Sequence, residues 1–256
     1  MKLTQIRNAT LTVEFAGKKI LIDPMLARKG TYPGFEGTVN SHLANPLVEL
    51  PVAVDTLLDV DAVIVTHTHA DHWDDAAQKL IPKDMLVFAQ HARDAALIRN
   101  AGFKNVRVLT ENTYFENITL IKTFGQHGSD EALEQIGEIL GDACGVVFKH
   151  PDEKTLYLAG DTVWNEYVIQ NLEAYSPDVI ILNTGDAQVI GLGSIIMGKE
   201  DVSHVCEAVP HSTIFTTHME AINHCTLSRA ELRQFIGEKG LTSRVLVPED
   251  GETCTL

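Results

Sequence analysis

The chain has 256 residues, 45% hydrophobic and 21% charged, the balance of a globular protein that buries a sizeable core, which excludes a disordered or fibrous chain. Its formal net charge is −15, and lysines and arginines stand singly instead of forming a stripe that tracks phosphates, which excludes bulk nucleic-acid binding and attraction to anionic membrane surfaces. No stretch approaches the roughly 18 apolar residues that span a bilayer, and Met1 to Thr10 lack a basic segment leading into an apolar one, so the expectation is a single domain over residues 1–256 in the cytoplasm.

In chain order, Thr10 to Phe15 alternates, Ala16-Gly17-Lys18 turns and Lys19 to Ile22 returns, which predicts a β-hairpin broken by Asp23-Pro24. From Met25 to about Thr56 the segment carries Gly30, Pro33, Gly34, Gly37, Pro46 and Pro51 with little periodicity. That predicts a long loop, read either as a functional insertion near the active site or as an inert surface excursion. Ala62-Val63-Ile64-Val65-Thr66 is a short continuous apolar run of the kind a strand buried on both faces produces. A helix follows at Asp74–Leu80, a strand at Met85–Ala89, a helix at Ala92–Ala101 and a strand at Val106–Leu109.

Strands are predicted at Ile118–Phe124, Gly145–Phe148 and Thr155–Ala159, then a helix at Trp164–Tyr175 and a buried strand at Val179–Leu182. The glycine-containing stretch from 185 to 199 reads as a loop, Glu200–Ala208 as a helix closed by Pro210, and Thr213–Thr217 as a strand. Ser228 caps a last helix with Glu231 at the capping-box position, Gly240 ends it, and Val245–Val247 is the final strand. The succession predicts an α/β protein with two mixed sheets packed face to face and helices outside; spacing alone also allows a doubly wound sheet. Cys144, Cys206, Cys225 and Cys254 are far apart without a Cys-x-x-Cys pair, and are expected to be reduced, mostly buried thiols, with Cys225 also considered as a ligand.

The motif that carries chemistry is His67-Thr68-His69-Ala70-Asp71-His72, three imidazoles and a carboxylate directly after a buried strand. His67 and His69, at i and i+2 of an extended segment, point to the same side and can reach one ion, while Asp71 and His72, past the bend, can face a second. Each ion needs further ligands. His127 in Phe124-Gly125-Gln126-His127-Gly128, Asp161 in Leu158-Ala159-Gly160-Asp161 and His218 after Thr213–Thr217 all follow strands, and the glycines let backbone come close to the site. Alone, each is more ordinarily a hydrogen-bonded structural residue or a turn; beside an incomplete metal cluster they become its natural partners.

These residues resemble the metallo-β-lactamase superfamily over nearly the whole chain, and Ile20 to Pro24 with Leu158 to Thr162 look like its ascorbate-6-phosphate lactonase-like branch. The resemblance implies a four-layer αββα sandwich with two divalent ions at one edge between the sheets. One ion is then bound by His67, His69 and His127, the other by Asp71, His72 and His218, with Asp161 bridging. Of the two histidines in Thr217-His218-Met219-Glu220-Ala221-Ile222-Asn223-His224, His218 is favoured as ligand because it ends the strand. His224 is placed behind the ligands or against the substrate. Glu220 and Asn223 are read either as supports of the site or as plain surface residues, and His42 either as a structural or exposed histidine or as one that lines the cleft from the long loop.

The expected function is hydrolysis: a bridging hydroxide attacks a lactone, ester or amide of a small molecule, anionic ones included, with Asp71 guiding the proton and His224 at the substrate. Imidazole-rich ligation points to zinc, while manganese or iron fits the same set. The alternatives are a phosphodiesterase or nuclease of the same fold, disfavoured by the acidic composition, and a non-catalytic metal-binding scaffold, disfavoured by the full ligand set. Di-iron oxygen chemistry is expected in this superfamily to replace His69 by a carboxylate and to add a flavin domain, and neither is present. A homo-oligomer is compatible with the sequence.

Overall fold

The computed structural model describes residues 1–256. Its first sheet starts as an antiparallel meander, β1 (Lys2–Arg7), β2 (Thr10–Phe15) and β3 (Lys18–Ile22), and continues through parallel strands β4 (Ala62–Val65), β5 (Leu86–Ala89) and β6 (Asn105–Val108). Helices α1 (Val54–Leu58), α2 (Asp75–Leu80) and α3 (Ala92–Asn100) lie in the connections. The chain then enters a second sheet with β7 (Thr113–Phe115) and β8 (Ile118–Phe124), crosses helix α4 (Asp130–Leu140), and adds β9 (Cys144–Lys149) and β10 (Leu156–Leu158). Helix α5 (Glu166–Tyr175), β11 (Val179–Asn183), a small hairpin of β12 (Gln188–Val189) and β13 (Gly193–Ser194), α6 (Lys199–Ala208) and β14 (Thr213–Thr217) follow. Helix α7 (Arg229–Glu238), β15 (Val245–Leu246) and β16 (Thr253–Thr255) complete the chain. The sheet orders are β16-β1-β2-β3-β4-β5-β6 and β15-β14-β11-β10-β9-β8-β7.

Burial explains the layers. In β4 every residue is inaccessible, but Ile64 faces a core with Leu11, Ile20 and Phe88 from its own sheet and Val146, Phe148 and Ile181 from the other, whereas Val63 and Val65 face helices α2 and α3 through Ala77, Ala95 and Ile98. A strand covered on both faces needs no polar alternation, which is why it reads as an unbroken apolar run. The second sheet repeats the arrangement, Val147, Tyr157, Ile180 and Ile214 packing outward on Val168, Val205, Leu232 and Ile236 of α5, α6 and α7. The result is the four-layer αββα sandwich, which removes the doubly wound alternative.

Several elements differ from those expected. The predicted long loop ends in α1, which starts at Val54, and the 185–199 loop contains the β12–β13 hairpin. Strands β1, β7 and β16 and helix α4 have no counterpart among the predicted elements. Only Cys144 and Cys206 are buried; Cys225 and Cys254 are partly exposed. No helix is long and apolar enough to cross a membrane.

Strand direction positions the site. Strands β10, β11 and β14 are parallel, and β8, antiparallel to β9, which is antiparallel to β10, runs the same way. All four therefore release their following loops at one edge, the usual place for a site in an open α/β sheet.

Candidate metal centre

Loops after β4, β8, β10 and β14 deliver His67 to His72, His127, Asp161 and His218 to one point. Each turn has a local cause. Gly160 has φ +72 and an added Cβ would collide with the Cys144 carbonyl oxygen, so only glycine lets the chain leave β10 toward Asp161. Gly128 has φ +110 beside Leu140 and Ala132 and seats the turn after His127 under α4. His218 itself takes φ +64, with its N–H donating to the Asn8 carbonyl at 3.1 Å. Left-handed backbone at a residue other than glycine marks a position where the surroundings dictate the conformation.

His67 Nε2 lies 3.0 Å from His69 Nδ1, and His72 Nε2 lies 3.1 Å from His218 Nε2. Asp161 sits between the groups: its Oδ2 is 3.7 Å from His67 Nε2, 3.1 Å from His72 Nε2 and 3.7 Å from His127 Nε2, and its Oδ1 is 3.7 Å from His218 Nε2. Asp71 Oδ2 is 3.2 Å from His218 Nε2. Three subsets bring ligand atoms within 4.8 Å of one another: His67, His69 and His127; His67, His72 and Asp161; and Asp71, His72 and His218. His69 is half-buried and the other six are buried.

The outward nitrogens show why a cation fits. His72 Nδ1 donates to Asp23 Oδ2 at 2.8 Å, His127 Nδ1 to the Ile195 carbonyl at 2.9 Å, and His69 Nε2 to the Ile139 carbonyl at 3.1 Å. Thr66 Oγ1 spends its proton on Asp23 Oδ2 at 2.7 Å, so at 3.2 Å it accepts from His67 Nδ1. Partners that only accept fix the tautomer, and four imidazoles therefore turn lone pairs inward, where two carboxylates add more. A centre into which four imidazole lone pairs and two carboxylates point needs positive charge.

In the metal-free protein protons supply that charge. Burial opposes a charged His72, yet Asp161, Asp71 and Asp23 together raise its pKa to about 10, and His218 is raised against burial by Asp161 and Cys225. Burial and the neighbouring His72 and His69 hold His67 well below its ordinary value, and burial lowers His127. Asp71 and Asp161, although burial favours their neutral forms, are held well below the usual carboxylate range by His72 and His218.

The seven residues expected as ligands converge. His224 does not join them: it lines a cavity of about 500 Å³ whose floor is His69, Asp71, His127 and Asp161. Its Nδ1 is buried without a partner, and burial pushes its pKa down to about 4. His42 is exposed and lies outside this cavity, so of its two readings the exposed one holds and the cleft one does not. Cys225 Sγ touches the outer Nδ1 of His218 at 3.4 Å, on the side away from the converging atoms. Glu220 pairs with Arg229 at 2.6 Å, away from the centre, and Asn223 is 1% exposed.

Residues that sequence reasoning passed over complete the setting. Asp23 accepts from Thr66 N, Thr66 Oγ1 and His72 Nδ1; Asn183 Nδ2 donates to Asp161 Oδ1 at 2.6 Å; Asn8 Nδ2 donates to the Asp71 carbonyl at 3.1 Å. The Asp-Pro that ends β3 is the signal for Asp23; nothing singles out Asn8 or Asn183. Asp23→Asn is expected to weaken metal binding about 10- to 100-fold, the usual effect of removing a carboxylate behind a ligating histidine. A competition titration with a chromophoric chelator measures this, and unchanged affinity would rule the role out.

Against known proteins, the Beta-lactamase superfamily domain matches residues 18–219. The chain belongs to the metallo-β-lactamase superfamily. Within it, the chain is 54% identical over 256 residues to the UPF0173 protein YddR of Bacillus subtilis, with 100% of both chains covered. It is 26% identical over 264 residues to a UPF0173 metal-dependent hydrolase of Pyrococcus abyssi, again with 100% of both covered. Among solved structures it is similar to the isothiocyanate hydrolase from Delia radicum gut bacteria, at 55% identity and TM-score 0.98, covering 100% of this chain and 99% of that one. This superfamily member is a metal-dependent hydrolase.

Proposed function

We propose that the protein is a single-domain cytoplasmic enzyme that holds two divalent ions, zinc by its imidazole-rich donor set, and adds water to the electrophilic carbon of a small neutral molecule, an isothiocyanate first of all. The observation that carries this reading is the cavity over the ligand cluster. Phe35, Ile136, Ile139, Leu140, Val189 and Ile195 give it an apolar wall, and neither lysine nor arginine lines it. A neutral organic group fits such a wall, whereas an anionic one finds no counter-charge outside the metal centre. The 55% identity to an isothiocyanate hydrolase over the whole chain supports the choice.

His67, His69 and His127 would hold one ion, Asp71, His72 and His218 the other, with Asp161 between them. Divalent ions bound there would lower the pKa of water to about 7 and polarise the substrate. The chain's own residues do the rest. Asp23, Thr66, Ile139 and Ile195 hold the imidazoles in fixed tautomers, and Asn183 and Asn8 orient Asp161 and Asp71. Asp71, on the cavity floor, takes the proton that water sheds as its oxygen bonds to the central carbon of R–N=C=S. That proton passes to the substrate nitrogen to give R–NH–C(=S)–OH. The remaining hydroxyl proton then follows to the same nitrogen as the nitrogen–carbon bond breaks, and R–NH2 leaves with carbonyl sulfide, so that atoms balance as R–N=C=S + H2O → R–NH2 + COS. His224 offers a hydrogen bond to the reacting heteroatom from the cavity side.

A second reading, cleavage of a lactone, ester or amide, draws on the same pair, since Asp71 and His224 both line the cavity, Asp71 to carry the proton from water to a leaving oxygen or nitrogen and neutral His224 to hydrogen-bond it. Phosphodiester cleavage ranks below both, for want of a cationic side chain in the wall. The test uses metal-loaded protein with benzyl and allyl isothiocyanate, a γ-lactone and a nitrophenyl ester. Amine release from the isothiocyanates is the expected result, turnover of the lactone or ester alone moves the assignment to the second reading, and no turnover of any of them defeats both. His224→Ala is expected to lower kcat about 100-fold with metal content unchanged; metal loss in that variant would make His224 a ligand instead.

A further inference from the structure

Asn223, beside His224 in the chain, uses every polar atom it has. Its Oδ1 accepts from Phe35 N at 3.1 Å and Asn45 Nδ2 at 2.8 Å, and its Nδ2 donates to Thr38 Oγ1 at 2.9 Å and the Val39 carbonyl at 2.8 Å. Its backbone N–H donates to Asn45 Oδ1 at 2.9 Å and its carbonyl accepts from Asn40 Nδ2 at 3.3 Å. Every partner lies in the loop between β3 and α1. Arg7 grips the ends of that loop, donating to the Met25, Ala27 and Val48 carbonyls. Its middle is held by the backbone bridge of Gly37 to Val39 onto the β12–β13 hairpin, with Val39 N donating to the Gln188 carbonyl and Ile190 N to the Gly37 carbonyl. It is held also by the side chain of Asn223, which alone reaches Phe35, Thr38 and Asn45 together.

The same stretch of loop faces the substrate. Phe35, Glu36, Gly37 and Thr38 form one wall of the cavity, and the Phe35 ring meets His224 edge-on, centroids 5.2 Å apart at 87°. We infer that Asn223 is a positioning residue that holds the Phe35–Thr38 wall against His224 and so selects among substrates by the bulk of the group on the reacting atom. The amide is the only side chain of this size with two donors and two acceptor sites; aspartate has no proton for the Val39 carbonyl, and glutamine is one methylene too long. Without it, Phe35 N and Asn45 Nδ2 lose their buried acceptor and the wall relaxes outward.

The inference rests on the proposed function for its substrates, and the experiment separates the two. Wild type, Asn223→Ala, Thr38→Val and Thr38→Ser are compared in metal content, hydrogen exchange of residues 31–45, and kinetics with benzyl and methyl isothiocyanate. Asn223→Ala is expected to keep its metal, exchange the segment at least about 10-fold faster, and raise KM for the benzyl substrate about 10-fold with kcat within about 3-fold, methyl isothiocyanate being little affected. Thr38→Val gives the same pattern in weaker form, and Thr38→Ser, which keeps the hydroxyl, restores wild-type behaviour. If Asn223→Ala does not fold, the Thr38 pair decides. Wild type inert to isothiocyanates overturns the substrate assignment alone, and the comparison then uses nitrophenyl acetate against nitrophenyl benzoate. Unchanged exchange of 31–45, or faster exchange with an unchanged ratio between bulky and small substrates, overturns the role of Asn223.

Discussion

Asp161→Asn is expected to cut turnover about 1000-fold, a loss of about 4 kcal/mol in transition-state stabilisation, and to leave the protein with at most one tightly bound ion. Asparagine keeps the shape of the side chain and an oxygen for the Asn183 amide, so the change isolates charge from packing. Asp161 is 4% exposed and its two oxygens stand within 3.7 Å of nitrogens on four histidines. With it neutral, two cations would share a buried centre whose only remaining carboxylate is Asp71, and their mutual repulsion in a poorly screened interior would go unopposed. Elemental analysis and kcat on the same preparation check the result. Full metal content with near-wild-type turnover would show that Asp161 is a bystander.

Metal removal has the second large effect. His67, His69, Asp71 and His72 come from a loop of the first sheet, His127, Asp161 and His218 from the second, so a bound cation ties the two halves together. At a free metal concentration about 1000 times Kd, one site adds about 4 kcal/mol of stability. At roughly 2–4 °C per kcal/mol for a chain of this size, chelation is expected to lower Tm by about 8–16 °C and to abolish activity, with both restored by zinc.

The pH dependence has a definite sign. In the metal-free protein the raised His72 and His218 favour the protonated folded state, a contribution fully present below about pH 6.5 and lost as pH climbs toward the His72 value of about 10. Metal uptake displaces those protons, so affinity weakens as pH falls. The Tm gap between loaded and chelated protein is therefore expected to widen from pH 7 to pH 9, and a gap that is absent or narrows over that range would contradict the assignment of His72 and His218.

What could be seen in the sequence divides along physical lines. The β4 run and the short β10 are visible because residues buried on both faces leave an unbroken apolar stretch, β8 and β14 because they are rich in β-branched residues and phenylalanine, and H-x-H-x-D-H because ligand spacing constrains residue type. Strands β7 and β16 are three residues long and lie at sheet edges, too short for alternation to register. Helix α4 has a clear start, Ser129 accepting from Ala132 N, but its backbone breaks from helical geometry at Ile136, Gly137 follows, and Ile139 is 73% exposed, because it roofs a cavity instead of packing on a sheet. Asp23 and Asn223 escaped full notice for a common reason: each acts through hydrogen bonds to residues far off in the chain, and an Asp-Pro or an Asn beside a histidine is ordinary until those partners are placed.

The enclosure over the ligand cluster is built from three pieces of chain, Phe35–Thr38, the C-terminal part of α4, and the 189–195 hairpin region, none of which belongs to either large sheet. On the proposed reading, reactivity and selectivity are carried by separable segments. An engineer wishing to redirect such an enzyme would graft those three pieces and leave the histidines alone.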